Sequence, residues 1–288
     1  MVRNIEIICD GNKKTGLGHI KRSITLFNEL KKQKFNIRIS GISDDSKLFL
    51  PKCKEFDNKP DCIIYDLPST SQCKKIKFNK QQLIIALDYF GALIPDFNIV
   101  IFPHHKPNAS RQVFIGFEYI LIREEIRLLK NKPIKKLDIN KVLVIFGGSD
   151  ILNQGPHVAC QLADLGMQVT LVQGPLANNI RKDSGYEVII NPDNLPELIR
   201  DSGWLVTNGG GCLFEAIYLE KAALVIPQTS AERRIAEYAL DQSSILGIGE
   251  DKIRKFNFEE IEHVQQRASK VIDGNGYRRI INIIKNAL

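Results

Sequence analysis

Short, uninterrupted apolar runs recur along the 288-residue chain. Several give way to a glycine or an acidic residue before a segment of helical period begins. In the first half, Ile5–Cys9, Asn36–Ile42, Asp61–Asp66, Gln82–Leu87 and Asn98–Phe102 predict strands, and Gly18–Lys34 predicts a helix. Runs this short with little polar alternation read as strands buried on both faces, which requires a parallel sheet covered by helices on either side. In such sheets ligands gather at the carboxyl ends of the strands. Asp10, Asp66 and Asp88 stand at such ends, where each is a candidate base, orienter or hydroxyl acceptor. Taken singly, each is more often a helix cap or a loop residue.

The pattern then breaks and restarts. Lys130 to Lys136 is charged, contains Pro133 and has no apolar period, the features of a linker. Beyond it, strands are predicted over Lys141–Phe146, Gln168–Val172, Glu187–Ile190, Gly203–Thr207 and Ala222–Ile226. Helices are predicted around His157–Leu165, Leu195–Asp201, Cys212–Leu219, Ala231–Gln242, Glu259–Ile272 and Tyr277–Asn286. Two consecutive α/β sets predict two Rossmann-like domains facing a cleft, 1–136 and 137–288, with the last helix packing back on the first domain.

Three glycine-rich stretches follow predicted strands. In Thr15-Gly16-Leu17-Gly18-His19-Ile20-Lys21-Arg22 the glycines precede a helix. Glycine lets backbone approach a ligand, a helix N-terminus offers unpaired N–H groups to an anion, and a histidine held there can move a proton near neutral pH. Alone, the stretch is more often a glycine-rich turn with a capping or core histidine. Phe146-Gly147-Gly148-Ser149-Asp150 offers close backbone approach and a hydroxyl, and reads evenly as a phosphate wall or a tight turn. Asn208-Gly209-Gly210-Gly211-Cys212-Leu213-Phe214-Glu215 puts a glycine run at a helix start, suited to a diphosphate. Glu215, about one turn in, suits two ribose hydroxyls or, more plainly, the positive end of the helix dipole.

Composition narrows the class. Hydrophobic residues are 43% and charged residues 25%, ordinary for a globular protein. No apolar run is long enough to span a bilayer, and the N-terminus reads as a strand rather than a signal peptide; a cytoplasmic protein is expected. The net charge of +7 suits an anionic small molecule. The lysine clusters Lys31-Lys32, Lys74-Lys75-Lys77 and Lys130 to Lys136 read as solvated faces, and with no nucleic-acid motif no nucleic-acid partner is expected. The six cysteines, Cys9, Cys53, Cys62, Cys73, Cys160 and Cys212, form no Cys-x-x-Cys pair and read as reduced thiols. His104-His105 has no partner ligand at matching spacing, and no metal or cofactor is expected. No interface signal is evident, so a monomer is expected.

Taken together the motifs carry a resemblance. Gly16-Leu17-Gly18-His19-Ile20-Lys21-Arg22 resembles the Gly-x-Gly-His-x-x-Arg motif of the pseudaminic acid pathway nucleotide-sugar hydrolases (UDP-2,4-diacetamido-2,4,6-trideoxy-β-L-altropyranose hydrolase) and of related spore coat polysaccharide biosynthesis proteins. In order along the chain, further segments resemble that family. Gly116 to Arg123 is similar to its Gly-x-x-Tyr-x-x-Leu/Ile-Arg, and Phe146 to Asp150 with Asn153 to its Phe-Gly-Gly-Ser-Asp-Pro-x-Asn. Gly209 to Glu215 is similar to its Gly-Gly-x-Thr-x-x-Glu, and Asp273 to Ile280 to its Asp-Gly-x-Gly-x-x-Arg-Ile.

The resemblance implies an α/β fold of the glycosyltransferase B type, with the nucleotide against the C-terminal domain and the sugar toward the N-terminal one. It implies hydrolysis of a nucleotide sugar without a metal: water attacks the anomeric carbon and UDP leaves. His19 is then the base. Gly16, Gly18, Arg22, Asp66, Asp88, Gly147, Gly148, Ser149, Gly209, Gly210, Gly211, Cys212 and Glu215 contact substrate or nucleotide. The chain departs from the family where Cys212 replaces a threonine and where Thr229 to Arg234 lacks an Asn-Gln pair. A glycosyltransferase of the same fold and a non-catalytic sugar-nucleotide binding protein are the alternatives.

Overall fold

A computed structural model describes residues 3–13, 15–68, 81–89, 94–100, 112–132, 138–177 and 185–288. These divide into two compact units, Met1–Leu121 with Gly274–Leu288, and Ile122–Asp273. The division at 121/122 precedes the charged stretch expected to separate the domains, of which 133–136 lie outside the described residues. Lys74-Lys75-Lys77, Cys73 and His104-His105 also lie outside them.

Among the described residues the first unit contributes β1 (Asn4–Cys9), β2 (Asn36–Gly41), β3 (Cys62–Asp66), β4 (Leu83–Leu87), β5 (Phe97–Val100) and β6 (Gln112–Ile115), in the order β2-β1-β3-β4-β5-β6. Every pairing is parallel. Helix α1 (Gly18–Lys32) buries Ile20, Ser23, Leu26, Phe27 and Leu30, a three- and four-residue spacing that lays one face on the sheet. It ends at Gln33, before Lys34 in the left-handed region at φ 64°. The short helix α2 (Asp44–Lys47) follows β2, capped by the Ser43 hydroxyl. Strand β6 and helix α2 escape the sequence reading. Strand β6 is a four-residue, mostly exposed edge strand, too short to show a period of its own, and α2 is a single polar turn.

The second unit opens with α3 (Glu124–Leu129) and carries β7 (Lys141–Ile145), β8 (Gln168–Gln173), β9 (Glu187–Ile190), β10 (Trp204–Thr207), β11 (Ala223–Val225) and β12 (Gly247–Ile248). Their order is β12-β11-β10-β7-β8-β9, again parallel throughout. Around them run α4 (Gly155–Asp164), α5 (Leu195–Asp201), α6 (Gly211–Tyr218), α7 (Ser230–Asp241) and α8 (Phe258–Ala268). Capping boxes start α7 (Thr229 with Glu232) and α8 (Asn257 with Glu260), satisfying donors that the first turn leaves open. The core centres on Trp204, fully buried, whose indole N–H donates to the Ile139 carbonyl at 3.0 Å and whose ring meets Phe256 edge-on at 5.2 Å.

Helix α9 (Gly276–Ala287) returns to the first unit. Gly276 is required there because a Cβ would stand 2.2 Å from the Ile120 carbonyl oxygen. Arg279 donates to the Glu118 carbonyl at 2.9 Å, and Arg3 donates to that of Leu288 at 2.6 Å. Among the described residues no helix is long and apolar enough to cross a membrane.

Strand order fixes where each sheet opens. Strand β1 lies between β2 and β3, so the chain leaves it toward one side and returns on the other. Strand β7 lies likewise between β8 and β10. At such switch points the loops beyond the strand ends part and leave a crevice.

Candidate functional site

The first unit holds six of the expected residues, Gly16, Gly18, His19, Arg22, Asp66 and Asp88, at and beside its switch point. The chain leaves β1 through Asp10 and a loop in which Asn12 and Thr15 bond each other, and Gly16, at φ 72°, donates its N–H to the Asn12 carbonyl at 2.8 Å. Helix α1 then begins at Gly18 with no side-chain cap and no acidic residue in its first turn. A Cβ at Gly18 would meet nothing within 4 Å, so its glycine keeps the helix start open rather than relieving a clash. His19, Arg22 and Ser23 stand at i, i+3 and i+4, one face of the helix. That face meets Asp66, the last residue of β3.

Asp66 is fully buried and saturated. Its Oδ1 accepts from His19 Nδ1 at 2.6 Å and Arg22 Nη2 at 2.6 Å, and its Oδ2 accepts from Arg22 Nε at 2.7 Å and Ser23 Oγ at 2.9 Å. An ionised carboxylate has about four lone-pair sites, and four donors fill them. Burial alone would raise its pKa. The Arg22 guanidinium and the His19 ring outweigh burial and hold the Asp66 carboxyl well below the usual carboxylate range. Arg22 also donates to Asp88, which follows β4 at φ 49°, and these two carboxylates, against burial, push Arg22 above its ordinary value. Burial, then the neighbouring Asp66 carboxylate, push the Cys9 thiol up to about 12.

The ionised Asp66 accepts only, so in the neutral ring His19 Nδ1 carries the proton and Nε2 presents its lone pair. The 3.3 Å approach of Arg22 Nη2 to Nδ1 is then a contact between two donors, not a bond. The His19 side chain is partly exposed, and no partner for Nε2 stands among the described residues. A positioned, solvent-reachable imidazole lone pair is what general-base chemistry needs. Asp10 turns away from this cluster: its Oδ1 accepts from the backbone N–H and hydroxyl of Ser43, at 3.2 and 2.5 Å.

The second switch point gathers the other expected residues. Past β7, Gly147 takes φ 65° and Ser149 is buried. Gly174 presses on this loop, where a Cβ would stand 2.4 Å from the Gly147 carbonyl oxygen. Asp150 caps α4, accepting from the N–H groups of Gln154 at 3.0 Å and Gly155 at 2.8 Å. Past β10, Gly209 packs on the start of α7, Gly210 precedes α6, and Gly211 opens it with free space around its Cα. Helix α6 also begins with no side-chain cap and no acidic residue, an N-terminus suited to an anion. Cys212 is buried in its first turn. Glu215 is engaged by Arg123, Nε to Oε1 at 2.6 Å and Nη2 to Oε2 at 2.9 Å.

A network that motif reading missed ties these loops together. Asn208 Nδ2 donates to Glu232 Oε1 at 2.6 Å, Glu232 Oε2 accepts the Gln228 N–H at 2.7 Å, and Gln228 Nε2 donates to Asp150 at 2.5 Å. Burial raises the Glu232 pKa above its ordinary value, against the hydrogen bonds it accepts. Thr207 Oγ1 and Asn208 Oδ1 are buried at the end of β10 without a hydrogen-bond partner among the described residues. Ser23 was also missed, although its place one turn beyond His19 is readable from spacing. Gln228 and Glu232 carry no motif of their own.

No protein-family model matches the chain. It is 25% identical to the uncharacterized protein MJ1062 of Methanocaldococcus jannaschii over 98% of this chain and 66% of that protein, so it spans just under two thirds of that relative's length. It is 21% identical to the spore coat polysaccharide biosynthesis protein SpsG of Bacillus subtilis, over 85% of this chain and 84% of that one. It is 23% identical to the UDP-2,4-diacetamido-2,4,6-trideoxy-beta-L-altropyranose hydrolase of Campylobacter jejuni, over 73% of this chain and 86% of that one. Among solved structures, UDP-bound MnaA of S. aureus is similar with a TM-score of 0.65 at 13% identity, covering 99% of this chain and 97% of that one. MurG of Acinetobacter baumannii is similar with a TM-score of 0.62 at 9% identity, covering 99% of both. These likenesses show the fold, two Rossmann-like units of the glycosyltransferase B type.

Proposed function

We propose that the chain is a nucleotide-sugar hydrolase that releases UDP from a UDP-linked 2,4-diacetamido-trideoxy sugar in the assembly of a nonulosonic acid or surface polysaccharide. Water attacks the anomeric carbon as the bond from that carbon to the diphosphate oxygen breaks. The proton of water passes to His19 Nε2, and the electron pair of the broken bond leaves with UDP. Asp66 holds the ring in the tautomer that exposes Nε2 and favours the imidazolium that forms. The uncapped start of α6, with Gly209, Gly210 and Gly211, takes the diphosphate and stabilises its growing charge. The observation that carries this reading is the His19–Asp66 bond at 2.6 Å beside an Nε2 with no partner among the described residues. The named hydrolase among the relatives supports it.

Saturation changes the part expected of Asp66. With four donors on its oxygens it has no site left for a sugar hydroxyl, so in this reading it positions His19 and does not touch substrate. Arg22 similarly serves Asp66 and Asp88.

The test incubates the full chain with the UDP-linked sugar and no acceptor, and follows free UDP. Steady release, reduced about 10²-fold or more in His19→Ala, is the expected result. Release only after an acceptor is added would make the protein a transferase, and tight UDP binding with no turnover would make it a binding protein.

A further inference from the structure

Glu215 sits on α6 about 6 Å along the axis from Gly211, on the scale of the separation between a 5′-phosphate and the 2′,3′-hydroxyls of one nucleotide. The obvious ligand for a lone carboxylate there is a vicinal diol, each hydroxyl donating to one oxygen. Arg123 stands in the way. Its Nε and Nη2 make two parallel bonds to the two oxygens of Glu215, at 2.6 and 2.9 Å, a fork that fills the front of the carboxylate. Each oxygen keeps an outer lone pair. Arg123 has five N–H groups, of which the fork uses two, and no partner for Nη1 stands among the described residues. The two side chains are 25% and 11% exposed, so the pair is not sealed in the core. It presents an acceptor and donors side by side.

We propose that Arg123 is a specificity-determining residue. With Glu215 it forms a donor–acceptor edge that reads adjacent hydroxyls of a ribonucleotide, one donating to Glu215 and its neighbour accepting from Arg123. A hydroxyl can play either part, whereas the hydrogen of a deoxy sugar leaves a polar group of the edge unpaired, which is how such sites reject analogues that lack a hydroxyl. This assignment rests on the nucleotide reading above. The motif that ends at Arg123 says nothing of Glu215, because the arginine and the glutamate are 92 residues apart in the chain.

The experiment is titration calorimetry of the full chain with UDP, 2′-deoxy-UDP and 3′-deoxy-UDP, for the wild type, Arg123→Met and Arg123→Lys. The wild type is expected to bind UDP about tenfold or more tightly than at least one deoxy nucleotide. Both variants are expected to bind that deoxy nucleotide as the wild type does while losing most of the preference for UDP. An unchanged preference in the variants, or an equal loss across all three nucleotides, overturns the proposal; the second is what a merely structural ion pair would produce. Should Arg123→Met fail to fold, Arg123→Lys carries the test, since lysine keeps the charge without the fork. Equal binding of all three nucleotides by the wild type defeats the role of Arg123 alone. Binding of none of them defeats the nucleotide reading, and the role of Arg123 with it.

Discussion

His19 Nδ1 lies 2.6 Å from Oδ1 of Asp66, a carboxylate with no exposed surface whose other hydrogen bonds come from Arg22 and Ser23 of the same helix. One helical face thus meets one strand end, and the ring cannot turn without breaking a charge-assisted bond. The arrangement orients an imidazole and leaves its far nitrogen for chemistry.

Asp66→Asn tests that orientation. An amide keeps the shape but offers its NH2 group where His19, Arg22 or Ser23 already donates. UDP affinity is expected to stay within about twofold, because the residues proposed to hold the diphosphate belong to the other unit, while kcat falls about 10²-fold or more. Folding stability is expected to drop by about 1–3 kcal/mol as buried donors lose their acceptor. Wild-type kcat in a folded Asp66→Asn protein would show that the ring needs no anion behind it.

Two glycines of one loop are expected to answer differently to alanine. A Cβ at Gly209 would stand 2.3 Å from the Glu232 carbonyl oxygen, and backbone there has no room to yield. Gly209→Ala is expected to destabilise by about 1–3 kcal/mol, measured by urea unfolding. At Gly211 nothing lies within 4 Å, so Gly211→Ala is expected to fold with unchanged or slightly raised stability. Its methyl stands before the first N–H groups of α6, and UDP binding is expected to weaken about tenfold. If Gly211→Ala binds UDP as the wild type does, the diphosphate is not held at the start of α6.

Lys221 gives a pH-dependent outcome. It is 3% exposed, and its Nζ donates to the Ser202 carbonyl at 3.0 Å. Burial lowers its pKa to about 8, from the 10.5 ordinary for a lysine. Between those values the unfolded chain holds the proton and the folded one releases it, so this residue makes stability rise with pH across that window, and its burial penalty is fully present below it. Lys221→Met removes the buried charge and is expected to raise the urea midpoint at pH 7. The gain should shrink as pH climbs from about 8 toward 10.5. A gain that stayed constant with pH would place the effect in packing instead of charge.

Much of this protein was legible before any coordinates. Strands such as β7 and β10 are buried on both faces and so appear as bare apolar runs, and α1 shows its buried face as spaced Ile20, Leu26, Phe27 and Leu30. The i, i+3 placement of His19 and Arg22 puts them on one side of a helix by backbone geometry alone. The edge strands β6 and β12 were not legible, because at four and two residues they are too short to show a period of their own. Nor were the pairings that define the site. His19 and Asp66 are 47 residues apart, and Arg123 and Glu215 are 92 apart. Periodicity is a property of one segment, set by how its own backbone repeats. Which strand ends up beside β1, in what register, and hence which carboxylate faces which cation, is set by the packing of segments against one another. The sequence by itself determined the kinds of element and the residues at their ends; the tertiary structure decided that Asp66 is spent on orienting His19 and that Glu215 comes with Arg123 attached.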